Sequence, residues 1–372
     1  MKSLVDRRIV LGGLLAASLP RRGFAQATTP PDSGLLSVSA VGALLAQHNV
    51  PGASLAIVND GALVASWCYG FAQAERPVTA DTRFRAASIS KTINALAVLK
   101  LVALGRLDLD APVNDHLVSW KLPDNVFTEK RAVTVRMLLS HSGGTTVTDF
   151  DGYAPGRQLP TITQILDGAP PANNDPVRVA WPPGHAFRYS GGGIMVLQQL
   201  IADLTREAYP AAIERLVLGP LGITHSDYVQ EAALLARAPI ALGHGKDGTA
   251  VPGGFRIHPE LAAAGLWTTP GDIARAVLAI IHASQGKENA FLPQPLARAM
   301  LTPVVQEAGL GVFLDGTGLF THVGATAGYH ALFIADAAAG RASVVMNNGD
   351  DGDAVSVELN RRVAQEFGWS RS

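Results

Sequence analysis

The stretch Ser90–Leu104 is apolar on every side rather than along one stripe, and Gly105 ends it. A helix of that kind cannot lie on a surface, so the rest of the chain must enclose it. With 372 residues, 48% of them hydrophobic and 16% charged, there is material for a large core, in one domain or two intimate ones. The same figures exclude a disordered polyelectrolyte.

Strand-like segments lie at both ends of the chain. Ala53–Val58 and Ala62–Tyr69 are joined by Asn59-Asp60-Gly61, a strong hairpin signal. Near the other end, Gly311–Leu314, Leu319–Val323, Ala331–Asp336 and Ala342–Met346 read as strands separated by Gly- or Ala-rich turns. Helices are expected at Leu35–His48, Thr134–Ser140, Ile194–Leu204 and Ala354–Phe367. Another should open at Thr269-Pro270-Gly271-Asp272, an N-cap, a first-turn proline and a first-turn acid, and run to Ser284. The expected class is α+β. One antiparallel sheet comes from residues 35–110 and 307–372, and a mostly helical lobe from residues 111–306 leaves a cleft between.

Met1–Arg8 is basic, Ile9–Leu19 is a short apolar run, and Ala25-Gln26-Ala27 supplies a small-x-small site. This is the layout of an export signal, and Arg7-Arg8 ahead of Ile9-Val10-Leu11 resembles the twin-arginine type. The apolar run is about half the ~20 residues that a membrane span needs. Residues 28–372 are therefore expected to form a single domain, periplasmic or secreted, with no stable membrane anchor after cleavage.

Lys and Arg (30) nearly balance Asp and Glu (31), so no bulk basic charge points to nucleic acid. A lone cysteine, Cys68, excludes an internal disulfide and a cysteine-rich metal site. The ten histidines include no His-x-His or His-Glu-x-x-His spacing, so no metal is expected. Gly243–Gly248 matches a dinucleotide fingerprint, but Pro252 and Gly253-Gly254 follow where a helix is required, and a turn at Asp247-Gly248 fits better. No cofactor is implied.

Ser88-Ile89-Ser90-Lys91 is the informative pattern, because one helical turn sets Ser88 beside Lys91 at the mouth of the buried helix. The helix N-terminus favours developing negative charge, and partial burial of Lys91 would help it take the Ser88 proton. The spacing by itself also fits an N-cap serine with a surface lysine. A second copy, Ser284-Gln285-Gly286-Lys287, falls at a helix end.

Phe84–Lys91 resembles the nucleophile motif of penicillin-recognising serine hydrolases. The narrower similarity is to the class C β-lactamase-like branch, with its β-lactamases, D-Ala-D-Ala carboxypeptidases, D-aminopeptidases and family VIII esterases. In the same order come Leu138–Gly144, then Pro183–Gly193 where the family has Tyr-x-Asn, Ala264–Asp272, and His322-Val323-Gly324-Ala325 where it has Lys-Thr-Gly or His-x-Gly. Together these span about Pro51–Gly349. The resemblance implies Ser88 as nucleophile, Lys91 as its activator and Tyr189 as a second general acid/base. It also implies an oxyanion hole from the N–H groups of Ser88 and Ala325, with Gly324 letting substrate approach the strand and His322 binding it.

Two departures shape the expectation. Gly191 replaces the asparagine of Tyr-x-Asn, and His322 replaces lysine, making the charge there conditional on pH. The sequence thus points to a serine hydrolase acting on a small ester, D-amino-acid amide or short peptide. A β-lactamase or carboxypeptidase is an alternative, and a penicillin-binding sensor without turnover is one of another class.

Overall fold

The computed structural model describes residues 29–231 and 239–369. The expected export signal, Met1–Ala27, lies outside the described residues. The sheet has seven strands, β1 (Gly52–Asn59), β2 (Ala62–Gln73), β3 (Arg76–Pro77), β6 (Phe313–Leu314), β7 (Leu319–Thr326), β8 (Tyr329–Asp336) and β9 (Arg341–Asn347), in the order β3-β2-β1-β9-β8-β7-β6. Every neighbouring pair is antiparallel. The two ends of the chain meet where β1 pairs with β9, Ala53 opposite Asn347. A two-stranded ribbon, β4 (Phe84–Arg85) with β5 (Trp267–Thr268), stands apart from it.

Local chemistry explains the first hairpin. Asn59 pairs with Ala62, and Asp60 and Gly61 both take positive φ, as a two-residue turn matched to strand twist requires. The expected turn near Asp247 also forms, with His244 bridged to Ala250.

Sheet burial is two-sided, since β1 is buried along nearly its whole length. On one face, Leu55, Ile57 and Val345 pack with Val41, Leu44 and Leu45 of α1 (Val38–Gln47) and Val355, Leu359 and Val363 of α7 (Gly352–Glu366). On the other face lies α6 (Pro270–Ser284), with Ala56, Val58 and Val344 in the main core. The cap of α6 is the expected one, Thr269 accepting from the Asp272 N–H with Pro270 in the first turn.

The buried helix, α2, runs over Ser90–Ala103 and is preceded by a tight turn, Ala87–Ile89, that carries Ser88. Against it pack α4 (Gly191–Thr205) and the short α5 (Leu261–Ala264), and α3 (Val135–Leu139) packs in turn on α4. Helix α4 starts three residues before Ile194, where the sequence pattern placed its beginning. Glycines are poor helix formers, but here close neighbours require them. A Cβ on Gly192 would stand 2.5 Å from the Thr146 carbonyl oxygen, and one on Gly193 2.7 Å from Thr145 Oγ1.

Candidate active site

The turn before α2 sets Ser88 and Lys91 together, with Lys91 Nζ 2.9 Å from Ser88 Oγ. Lys91 is only 2% exposed and also donates to the Ala263 carbonyl at 2.9 Å. That carbonyl is held in place from two sides. Gln198 of α4 accepts from the Ala262 N–H, and Ser90 of α2 accepts from the Leu266 N–H. Ser88 and Lys91 line a cavity of about 420 Å³ together with Asp149, Phe150, Asp151, Arg256, His258, Ala325 and Thr326.

Tyr189 reaches the same place from the segment leading into α4, its ring centroid 5.0 Å from Lys91 Nζ. His141 fixes it there. The His141 carbonyl accepts from the Arg188 N–H at 2.7 Å, its Nδ1 accepts from the Ser190 N–H at 3.2 Å, and its ring lies 4.4 Å from that of Tyr189. His141 adopts φ 55°, which turns both its carbonyl and its ring toward that segment. The sequence showed His141 only as part of the Leu138–Gly144 motif, without a role.

His322 is 2% exposed and faces inward, so it is not a solvent-facing strand histidine. Its Nδ1 donates to the Val323 carbonyl at 2.8 Å, leaving Nε2 as a buried acceptor without a partner among the described residues. Burial and the neighbouring Lys91 ammonium push His322 down to about 3. The pH-conditional cation expected at this position is therefore a neutral imidazole at neutral pH. His141 and His258, both buried, are also held below the ordinary imidazole range, mainly by desolvation.

A stability prediction follows with a definite sign. His322 gains its proton near pH 6.5 in the unfolded chain but only near pH 3 when folded. Between those values the unfolded state holds more protons, so stability is full above about pH 6.5 and falls as pH drops toward 3. The slope is about 1.4 kcal/mol per pH unit for such a group. Melting followed from pH 7.5 to 4.5 should show a steady loss of midpoint, and His322→Gln should make that loss shallower.

Gly324 permits a close approach by the chain itself. A Cβ there would stand 2.1 Å from the Ala86 carbonyl oxygen and 3.3 Å from the Ser88 nitrogen. The contact seats the turn that carries Ser88 on β7, with the Ser88 N–H beside Gly324. Gly324→Ala must push strand and turn apart. We expect a destabilisation of about 2 kcal/mol, read by chemical denaturation, with Ser88 reactivity lost alongside. At Gly191, a Cβ would meet Phe150 Cε2 at 2.9 Å and the Thr148 carbonyl at 3.0 Å. Space for a side chain at that position is taken by the 148–150 loop.

Among the described residues no group of three His, Cys, Asp or Glu side chains is placed to hold a metal ion, and no helix is long and apolar enough to cross a membrane.

A profile of the beta-lactamase family matches residues 38–366. The chain belongs to the beta-lactamase family. Among curated beta-lactamase-family relatives, esterase EstB of Burkholderia gladioli is 29% identical over 310 residues, covering 74% of each chain. Protein flp of Staphylococcus aureus is 28% identical over 191 residues, half of this chain but only 36% of that protein. The chain thus spans about a third of the length of flp. Of solved structures, the D-amino acid amidase of Ochrobactrum anthropi superposes with a TM-score of 0.72 at 22% identity, covering 90% of this chain and 99% of that one. At that identity the likeness establishes the beta-lactamase fold.

Proposed function

We propose that this protein is a serine hydrolase that acts on small esters or amides through an acyl-enzyme on Ser88, after export. The observation that carries this reading is Ser88 Oγ 2.9 Å from the buried Lys91 Nζ at the edge of a cavity, with the Tyr189 ring over the lysine. In the proposed reaction Ser88 Oγ attacks the substrate carbonyl carbon. Its proton passes to Lys91 Nζ, acting as the uncharged amine, and onward through Tyr189 to the leaving oxygen or nitrogen, whose bond to carbon breaks. The N–H groups of Ser88 and Ala325 face the carbonyl oxygen as its charge grows. Water then attacks the acyl carbon, and Ser88 recovers its proton as the acid departs.

A neutral His322 gives no fixed charge to anchor a substrate carboxylate, and Gly191 gives no side-chain amide to help hold an amide substrate. Both weigh against an efficient β-lactamase or carboxypeptidase. The relatives are consistent with this choice, since one is named an esterase and another a D-amino acid amidase. Intact-protein mass soon after mixing with 4-nitrophenyl butyrate or with a penicillin tests the reading. An acyl adduct from the ester, decaying as nitrophenol is released, is expected. A long-lived penicillin adduct with no ester turnover would replace the hydrolase by a penicillin-binding trap.

A further inference from the structure

The turn that carries Ser88 has different chemistry on its two flanks, and β7 runs across both. Gly324 packs against that turn, where its Cβ would stand 3.3 Å from the Ser88 nitrogen. Past this point Ala325, Thr326 and Ala327 line the cavity, together with Asp149, Asp151 and Arg256. Before it, Thr321 pairs with Phe313 of the edge strand β6. Strand residues advance about 3.3 Å each, which sets Thr321 and Ala325 roughly 13 Å apart on opposite sides of the turn.

The flank at Thr321 is aromatic. The Phe313 ring centre lies 5.9 Å from that of Phe187, 6.3 Å from that of Tyr189 and 5.2 Å from that of His322. It also stacks on His141 at 6.2 Å. The two imidazoles are buried, whereas Phe187, Tyr189 and Phe313 each keep part of their surface open. Burial keeps both imidazoles uncharged at neutral pH, and the Arg188 guanidinium sits 4.3 Å over the Trp181 ring. Lys91 Nζ stands 5.0 Å from the Tyr189 ring centre, and a cation so placed attracts a π face. This surface suits an uncharged ring.

Resting on the serine-hydrolase reading, we propose that Phe187 and Phe313 form a leaving-group subsite that selects aromatic alcohols and amines. The reaction decides which half of the substrate meets which flank. An acyl-enzyme keeps the acyl group and releases the alcohol or amine from the other side of the carbonyl carbon. The proton for that departing atom comes through Tyr189, whose ring belongs to the aromatic flank. The departing group therefore lies along Phe187 and Phe313, and the acyl group lies in the cavity.

Butyrate esters of benzyl alcohol and of ethanol test it on the full chain. Wild type should favour the benzyl ester in kcat/KM by about ten-fold or more, the gain from partly burying one ring against two others. Phe313→Ala and Phe187→Ala should each cut that preference by about five-fold, a comparison in which the intrinsic reactivity of the esters cancels. Phe313→Tyr keeps a ring and should retain it. A phenylalanine that only supports Tyr189 would, once replaced, depress both esters together and leave their ratio unchanged. Benzyl acetate adds a check on the flanks, because the ratio of butyrate to acetate should stay at its wild-type value in the alanine variants. No benzyl preference in wild type, a preference that survives both alanine variants, or a change confined to the butyrate-to-acetate ratio overturns the proposal. Should Phe313→Ala fail to fold, Phe187→Ala decides the matter. Failure of wild type on all three esters overturns the hydrolase reading instead, and this proposal with it.

Discussion

Ser88→Ala will lower ester turnover by at least about a thousand-fold and will leave no acyl adduct in the intact mass. The size follows from the arrangement of the site. Among the described residues Lys91 Nζ hydrogen-bonds only to Ser88 Oγ and the Ala263 carbonyl, so Ser88 is the one hydroxyl it engages there. Removing one oxygen therefore removes the only nucleophile that the lysine can activate. Folding should be nearly unaffected, because Ser88 is only part-buried and its Oγ contact is with Lys91. A Ser88→Ala protein that melts normally and still hydrolyses the ester at the wild-type rate would place the chemistry elsewhere.

Lys91→Ala carries the second large effect, and it separates chemistry from folding more sharply. We expect turnover to drop by about a thousand-fold, in the range for loss of a positioned base. Stability should change little in comparison. A buried cation costs desolvation, and its removal offsets the loss of its two hydrogen bonds. A further signature is available. The Lys91 ammonium helps hold His141 and His322 below the ordinary imidazole range, so both should titrate at higher pH in the variant. Proton NMR of the imidazole resonances reads this directly. Unchanged titration would show that burial alone sets these groups.

The parts of the site that were legible in the sequence are those whose geometry is local. Ser88 and Lys91 are three residues apart at a helix start, and that spacing brings them together whatever the rest of the fold does. The Asp60-Gly61 turn and the Thr269 cap are local in the same sense. What could not be read depends on distant contacts. His322 sounded like a charge conditional on pH, but its neutrality comes from burial beside Lys91, far away in the chain. The sequence pattern started the helix at Ile194 and left out Gly191–Gly193, whose Cβ positions are occupied by the 145–150 segment lying against them. His141 gave no local signal for its role, since it works through a segment that only folding brings to it.

Because β1 lies against β9, neither half of the large sheet is complete until the end of the chain is in place. The strand that seats the Ser88 turn, β7, belongs to that late half. High contact order of this kind slows folding and delays it relative to synthesis. Until those strands close, the nascent chain carries Ser88 and Lys91 without the β7 residues Ala325 and Thr326 that wall the cavity beside them.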